Sequence, residues 1–188
     1  AVVTGGCARQ DSSGGSLATG TPQSVMETAK EVIATMKAKD GSRLAEFVHP
    51  ERGVRFSPYA FVNVGGDRVL SRADVRTIWE DDGVYSWGHA DGTGEPILLT
   101  SARYFERFVM DRDFTAATSV TIDDYPERGT TNSNAADVYP NGTSVEFLLA
   151  PVGGQGDPAF DWRALRLVFE SHDGSWRLVA VIHDEWTT

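Results

Sequence analysis

The C-terminal stretch constrains the fold most. Trp162 to Glu170 and Trp176 to Glu185 are two runs rich in aliphatic, β-branched and aromatic residues, separated by a short polar link with Asp173-Gly174 at its centre. Asp-Gly suits the two positive φ angles of a type I′ turn, whose twist matches that of the strands it joins. A regular hairpin centred there makes His172 face Ser175, Glu170 face Arg177, Phe169 face Leu178, Leu167 face Ala180, Leu165 face Ile182 and Arg163 face Asp184. The opposite-charge pairs Glu170 with Arg177 and Arg163 with Asp184 support this register, because like charges directly opposite destabilise a sheet. Alternation then puts Leu165, Leu167, Phe169, Leu178, Ala180 and Ile182 on one face, to be covered by helices. The other face carries Trp162, Ala164, Arg166, Val168, Val179, Val181 and His183. It is too apolar to stand in water and calls for cover, either by the chain's own loops or by a second copy in a homodimer.

Helical signals precede the strands. Thr21-Pro22 and the capping box Ser24-x-x-Glu27 open a helix whose Val25, Met26, Ala29, Val32, Ile33 and Met36 recur at helical spacing until Asp40-Gly41. A second helix carries Leu44, Phe47 and Val48 and stops before Pro50. A third starts at Ser71, with Asp74 in its first turn, and projects Val75, Ile78 and Trp79. A fourth starts at Thr100 or Ser101 and aligns Tyr104, Phe105, Phe108 and Val109. These stripes read as core packing. Further strands are expected over 53–62, 84–89, 118–125 and 144–150, with loops over 127–134 and 151–158. The fold class is α+β: N-terminal helices on one face of a strongly bent, mainly antiparallel sheet.

The 188 residues divide into a tail, 1–23, and a single domain, 24–188. Cys7 is the only cysteine, which excludes an internal disulfide and a zinc site built from several thiolates. The segment Ala1-Val2-Val3-Thr4-Gly5-Gly6-Cys7 resembles a bacterial lipobox, with Thr4 where leucine is usual. That resemblance implies that Cys7 carries diacylglycerol and that the protein sits, lipid-anchored and extracytoplasmic, in a bacterial cell envelope. The polar Gly/Ser-rich stretch Ala8 to Gly20 suits a tether. No apolar run approaches the roughly 18 to 20 residues of a membrane span, so the anchor is the only expected membrane contact. A net charge of −10 argues against nucleic acid as a partner.

The order of elements resembles the NTF2-like (SnoaL-like, cystatin-like) cone. The segments His49 to Tyr59 (HPERGVRFSPY), Trp87 to Ile97 (WGHADGTGEPI), Asp161 to Phe169 (DWRALRLVF) and Ile182 to Thr187 (IHDEWT) are similar to those of a group of uncharacterised bacterial envelope lipoproteins. The cone implies a pocket between sheet and helices. Arg163 and Asp184 interrupt the inward apolar row, with Trp186 one step further, and Tyr59 and Trp87 lie in the matching segments; these five are the pocket candidates. Trp162, Arg166 and His183 are candidates on the second face. His183 and Asp184, adjacent in a regular strand, point to opposite faces and form no dyad. NTF2-like enzymes pair a His with an Asp from another element, or a Tyr with carboxylic acids; Tyr59 or Tyr104 with Asp82 is the nearest such grouping. The carboxylates of 81–95 lack EF-hand spacing and their glycines suit turns, so no metal is assigned, and no cofactor is implied. The expected function is non-catalytic binding of a small molecule or a protein through the cone pocket or the sheet face. The alternatives are an isomerase, dehydratase or cyclase on a small organic substrate, or a purely assembly role through the sheet face.

Overall fold

The structure, a computed structural model, describes residues 1, 22–126, 128, 132–151 and 160–187. Cys7, the tether and all but the first residue of the loop expected over 151–158 lie outside the described residues, as does most of 127–131. Helix α1 (Pro22–Lys37) is followed by α2 (Gly41–Phe47), β1 (Val54–Ser57), β2 (Arg68–Leu70), α3 (Arg72–Arg76), β3 (Val84–His89), β4 (Pro96–Thr100), α4 (Ser101–Phe108), β5 (Ser119–Ile122), α5 (Ala135–Val138), β6 (Thr143–Leu149), β7 (Arg163–His172) and β8 (Ser175–Glu185).

Local chemistry sets most of these bounds. The Asp40 side chain accepts from the Arg43 amide at 2.9 Å and opens α2. The glycine that follows it lies where α2 meets α3, since a Cβ on Gly41 would stand 2.5 Å from the Arg76 carbonyl oxygen. Ser71 and Asp74 cap α3 reciprocally, and Thr100 caps α4. Helix α1 departs from expectation: it includes Pro22, so Ser24 lies inside the first turn rather than at the cap. Proline is favourable in a first turn, where its missing N–H has no partner to lose. β2 and β4 are too short or too exposed to announce themselves in the sequence, and β1 ends at Ser57 because Pro58 cannot continue the ladder.

Six strands form one sheet in the order β2-β1-β8-β7-β6-β5, antiparallel except where β1 runs parallel to β8; β3 and β4 make a separate hairpin. The Asp173-Gly174 turn has both φ angles positive, 50° and 69°, as its type requires. His172 faces Ser175, Glu170 faces Arg177 and Phe169 faces Leu178 as expected. Beyond that the register slips. Val168 faces Ala180, Leu167 faces Val181, Leu165 faces His183, Ala164 faces Asp184 and Arg163 faces Glu185, so Val179 is an extra residue in β8. The expected pairings of Leu167 with Ala180, Leu165 with Ile182 and Arg163 with Asp184 are therefore replaced.

The bulge exchanges the faces of everything after it. Leu178 and Val181 join Leu165, Leu167 and Phe169 in the main core with the helices, whereas Ala180 and Ile182, expected there, join Val168 and Val179 on the opposite side. His183 likewise moves to the helix side. Val62, Ala135 and Tyr139 cover the second face, so the chain's own segments supply its apolar cover.

Aromatic side chains pack the core between sheet and helices among the described residues. Trp87 is fully buried, stacks on Tyr104 at 4.1 Å with an interplanar angle of 13°, and donates from Nε1 to the Leu99 carbonyl oxygen at 3.0 Å. Phe56 meets both rings edge-on. Truncating such a side chain removes its dispersion contacts and leaves a cavity. Trp87→Ala is expected to lower unfolding free energy by about 3 to 5 kcal/mol in urea titration. A loss under about 1 kcal/mol would show that the ring is not a close-packed part of the core.

Candidate functional site

Past the bulge, β8 aims His183 and Glu185 at the helices. The chain leaving α4 turns back through Met110, whose amide donates to the Phe105 carbonyl oxygen, and so delivers Asp111 to the same place. His183 is fully buried, with Nδ1 3.2 Å from the Pro58 carbonyl oxygen and Nε2 3.5 Å from Asp111 Oδ2. At 3.5 Å the Nε2 contact is electrostatic rather than a full hydrogen bond, and both Nε2 and Asp111 Oδ1 are buried without a hydrogen-bond partner. The imidazole meets the Phe108 ring edge-on at 5.8 Å. Arg163 Nε lies 3.0 Å from Asp111 Oδ2 and 3.2 Å from Glu185 Oε2, and Arg107 donates to Glu185 Oε1 at 2.5 Å. Burial pushes the Asp111 carboxyl up, but His183 and Arg163 beside it outweigh that and hold it below the usual carboxylate range.

This is a His-Asp pair from two different elements, which sequence reasoning did not find. Asp111 stands in a polar stretch after a helix, and only the bulge turns His183 toward it. Asp111, His183 and Glu185 each offer one ligand atom, all within 4.8 Å of one another. The Arg163 guanidinium already lies against both carboxylates, and Arg107 adds a second positive charge. A divalent cation would meet two guanidinium groups there, so the donor set fits an ion-paired lock between α4 and the sheet better than a metal centre.

The other candidates are dispersed. Asp184, expected to pair with Arg163, faces the opposite side and borders a recess of about 120 Å³ with Arg166, Tyr125 and Ser133. There Arg166 donates to Glu146 at 2.5 Å and to Ser133 Oγ at 2.8 Å, and Arg128 pairs with the second oxygen of Glu146. Trp162 lies beneath the Arg128 guanidinium on this face. Asp184 makes no hydrogen bond among the described residues, and burial, opposed by Arg128 and Arg166, pushes its pKa up to about 7. Trp186 packs on Phe160. Tyr59 borders a recess of about 200 Å³ with Asp67 and His89, whereas Trp87 is sealed in the core. The carboxyl whose field reaches Tyr104 is Asp67, not the exposed Asp82. In the 81–95 segment Asp81 accepts from the Gly83 amide and the Tyr85 hydroxyl, so turn formation already uses it.

A further recess lies elsewhere among the described residues. A cleft of about 390 Å³ runs between the C-terminal end of α1, α4 and the 110–113 segment. Met36, Trp79, Phe105 and Met110 supply its apolar wall, Ala102 lies on the α4 side, and Lys37, Lys39, Glu106 and Asp113 are among its charged rim residues. Asp111 also borders it, so the buried lock forms part of the scaffold behind the cleft. Met36, Trp79 and Phe105 read as core from their helical stripes. The sequence held no sign that α1 and α4 diverge enough to leave a recess between those stripes.

No protein-family model matches this chain, and no curated protein matches it. Solved structures resemble it distantly. A protein from Xanthomonas campestris described as a calcium/calmodulin dependent protein kinase II association domain is 14% identical over 89% of this chain and 89% of its own, with a TM-score of 0.39. An NTF2-like protein with a cystatin-like fold from Novosphingobium aromaticivorans is 11% identical over 87% of this chain and 80% of its own, with a TM-score of 0.40. A protein from Sphaerobacter thermophilus is 13% identical over 88% and 98%, with a TM-score of 0.35. At scores this low the likenesses carry no argument about activity; the α+β cone stands on the element order and sheet topology described above.

Asp184 generates a test by titration. Its folded-state pKa of about 7 exceeds the ordinary 3.8, so the folded state binds the proton more tightly and stability falls as pH rises from about 4 to about 7. Asp184→Asn is expected to be more stable than wild type at pH 8 by about 1 to 4 kcal/mol, with the difference vanishing near pH 4. Parallel stability profiles across that range would contradict the placement of Asp184.

Proposed function

We propose that this domain binds a small ligand in the α1–α4 cleft without transforming it, and that Cys7 holds it at a cell-envelope membrane as a lipoprotein. The observation that carries the binding reading is the cleft itself, about 390 Å³ with two aromatic and two methionine side chains in its wall. Pockets for small molecules occupy this size range and combine apolar walls with a few polar groups, and methionine adapts its shape to what it meets. The packing of the core is consistent with the same reading, since Trp87 and Tyr104 are buried and stack on each other between sheet and helices. The buried His-carboxylate pair, His183 with Asp111, has its imidazole fully buried and its carboxylate committed to Arg163, which favours a structural role over attack on a substrate. The anchor reading rests on the small residues before Cys7 and the Gly/Ser-rich segment after it.

Decanol, a single-chain apolar probe, is expected to bind the purified domain by calorimetry and to perturb Trp79 fluorescence. Ala102→Phe places a ring in the cleft from the surface of α4 and is expected to weaken that binding at least tenfold with an unchanged melting temperature. Absence of binding, or binding indifferent to Ala102→Phe, would remove the cleft as the site. For the anchor, mass spectrometry of the protein extracted from its native membrane is expected to find diacylglycerol on Cys7; an unmodified thiol would refute it.

A further inference from the structure

The charges around the cleft are unequally used. Of its rim carboxylates, Asp113 accepts from Lys37 at 2.8 Å, Glu106 pairs with Arg103 at 3.0 Å, and Asp111 is held by Arg163. Of its cations, Lys37 is spent on Asp113 and Arg112 pairs with Asp161 at 2.8 Å. Lys39 is exposed, and its ammonium makes no hydrogen bond or ion pair among the described residues. Its sequence neighbour Asp40 turns its carboxylate to the first turn of α2, where it accepts from the Arg43 amide. The cleft thus has an apolar wall, compensated charges around it, and one uncompensated ammonium at its edge.

The backbone at this position adds an independent observation. Lys39 has φ of 56°, in the left-handed region, and closes α1 with its amide donating to the Met36 carbonyl oxygen at 3.1 Å. Glycine is the usual residue at such a helix end, because it reaches that conformation without a Cβ penalty. A lysine held there keeps a cationic side chain at the mouth of the cleft at a cost in backbone conformation, and strain of this kind concentrates at functional positions.

Resting on the cleft reading above, we infer that the ligand is an amphiphilic anion, with an apolar body against Met36, Trp79, Phe105 and Met110 and a carboxylate or similar group on the Lys39 ammonium. The net charge of −10 repels anions in general, so a preference for the charged form must come from a local cation. An ammonium at a solvent-facing rim strengthens binding modestly and is screened by salt.

The test compares decanoate with decanol on the intact domain. Decanoate is expected to bind about three- to fivefold more tightly at low ionic strength, an advantage that shrinks in concentrated salt. Lys39→Gly is expected to abolish the advantage while keeping or raising the melting temperature, since it relieves the left-handed strain. Lys39→Arg is expected to retain the advantage, and Lys30→Gln, which removes a positive charge on the exposed side of α1, to leave it unchanged. If decanol and decanoate bind equally and Lys39→Gly changes neither, the anion inference is overturned while the cleft stands. If neither probe binds, the cleft reading itself fails.

Discussion

The single inserted residue Val179 governs where the chemistry of this protein lies. A strand has a period of two, so one extra residue exchanges the two faces for every position beyond it. Val179 and Ala180 together oppose Val168, and the consequence runs through the last six residues of β8, Ala180 to Glu185. His183 and Glu185 turn inward to meet Asp111, Arg163 and Arg107, while Ile182 and Asp184 turn outward to the face covered by Val62 and Tyr139. In a regular strand these groups would change places. A carboxylate would still meet Arg163, but it would be Asp184, and His183 would lie among Arg166 and Glu146.

The lock that results explains how a polar cluster persists in a small domain. Two carboxylates and two guanidinium groups offset one another, and removing Arg163 would leave the largely buried Asp111 carboxylate without its guanidinium partner. The cluster ties the end of α4 to the sheet. It therefore fixes the segment after α4, one wall of the cleft, relative to α1. On the other face Glu146 serves Arg166 and Arg128 in a second network that leaves Asp184 out, which is why burial dominates that carboxyl.

Much of this was legible in the sequence where local chemistry decides. Asp173-Gly174 specifies its own turn, Ser71 with Asp74 specifies the start of α3, and alternation within β7 assigns Leu165, Leu167 and Phe169 to the core correctly. The bulge was not legible, because valine fits either a regular or a bulged position and the charges misled. Arg163 opposite Asp184 looked self-consistent, yet Glu185 one residue later satisfies the same rule. Even the correctly registered Glu170 and Arg177 bond elsewhere, Glu170 to Arg52 and Arg177 to the Glu46 carbonyl oxygen. The cleft was illegible for a different reason. It depends on the separation of α1 from α4, and residues that line a recess have the same periodicity as residues that close one.

The bulge can be read directly by nuclear Overhauser effects in the labelled protein. The account predicts contacts from the His183 ring protons to the Phe108 ring, and from the Ile182 methyl groups to Val62 and Tyr139, with the Leu165 α-proton near that of His183. Contacts from Ile182 to Leu165 and the α4 aromatics, together with His183 among the second-face residues, would show a regular strand and contradict it.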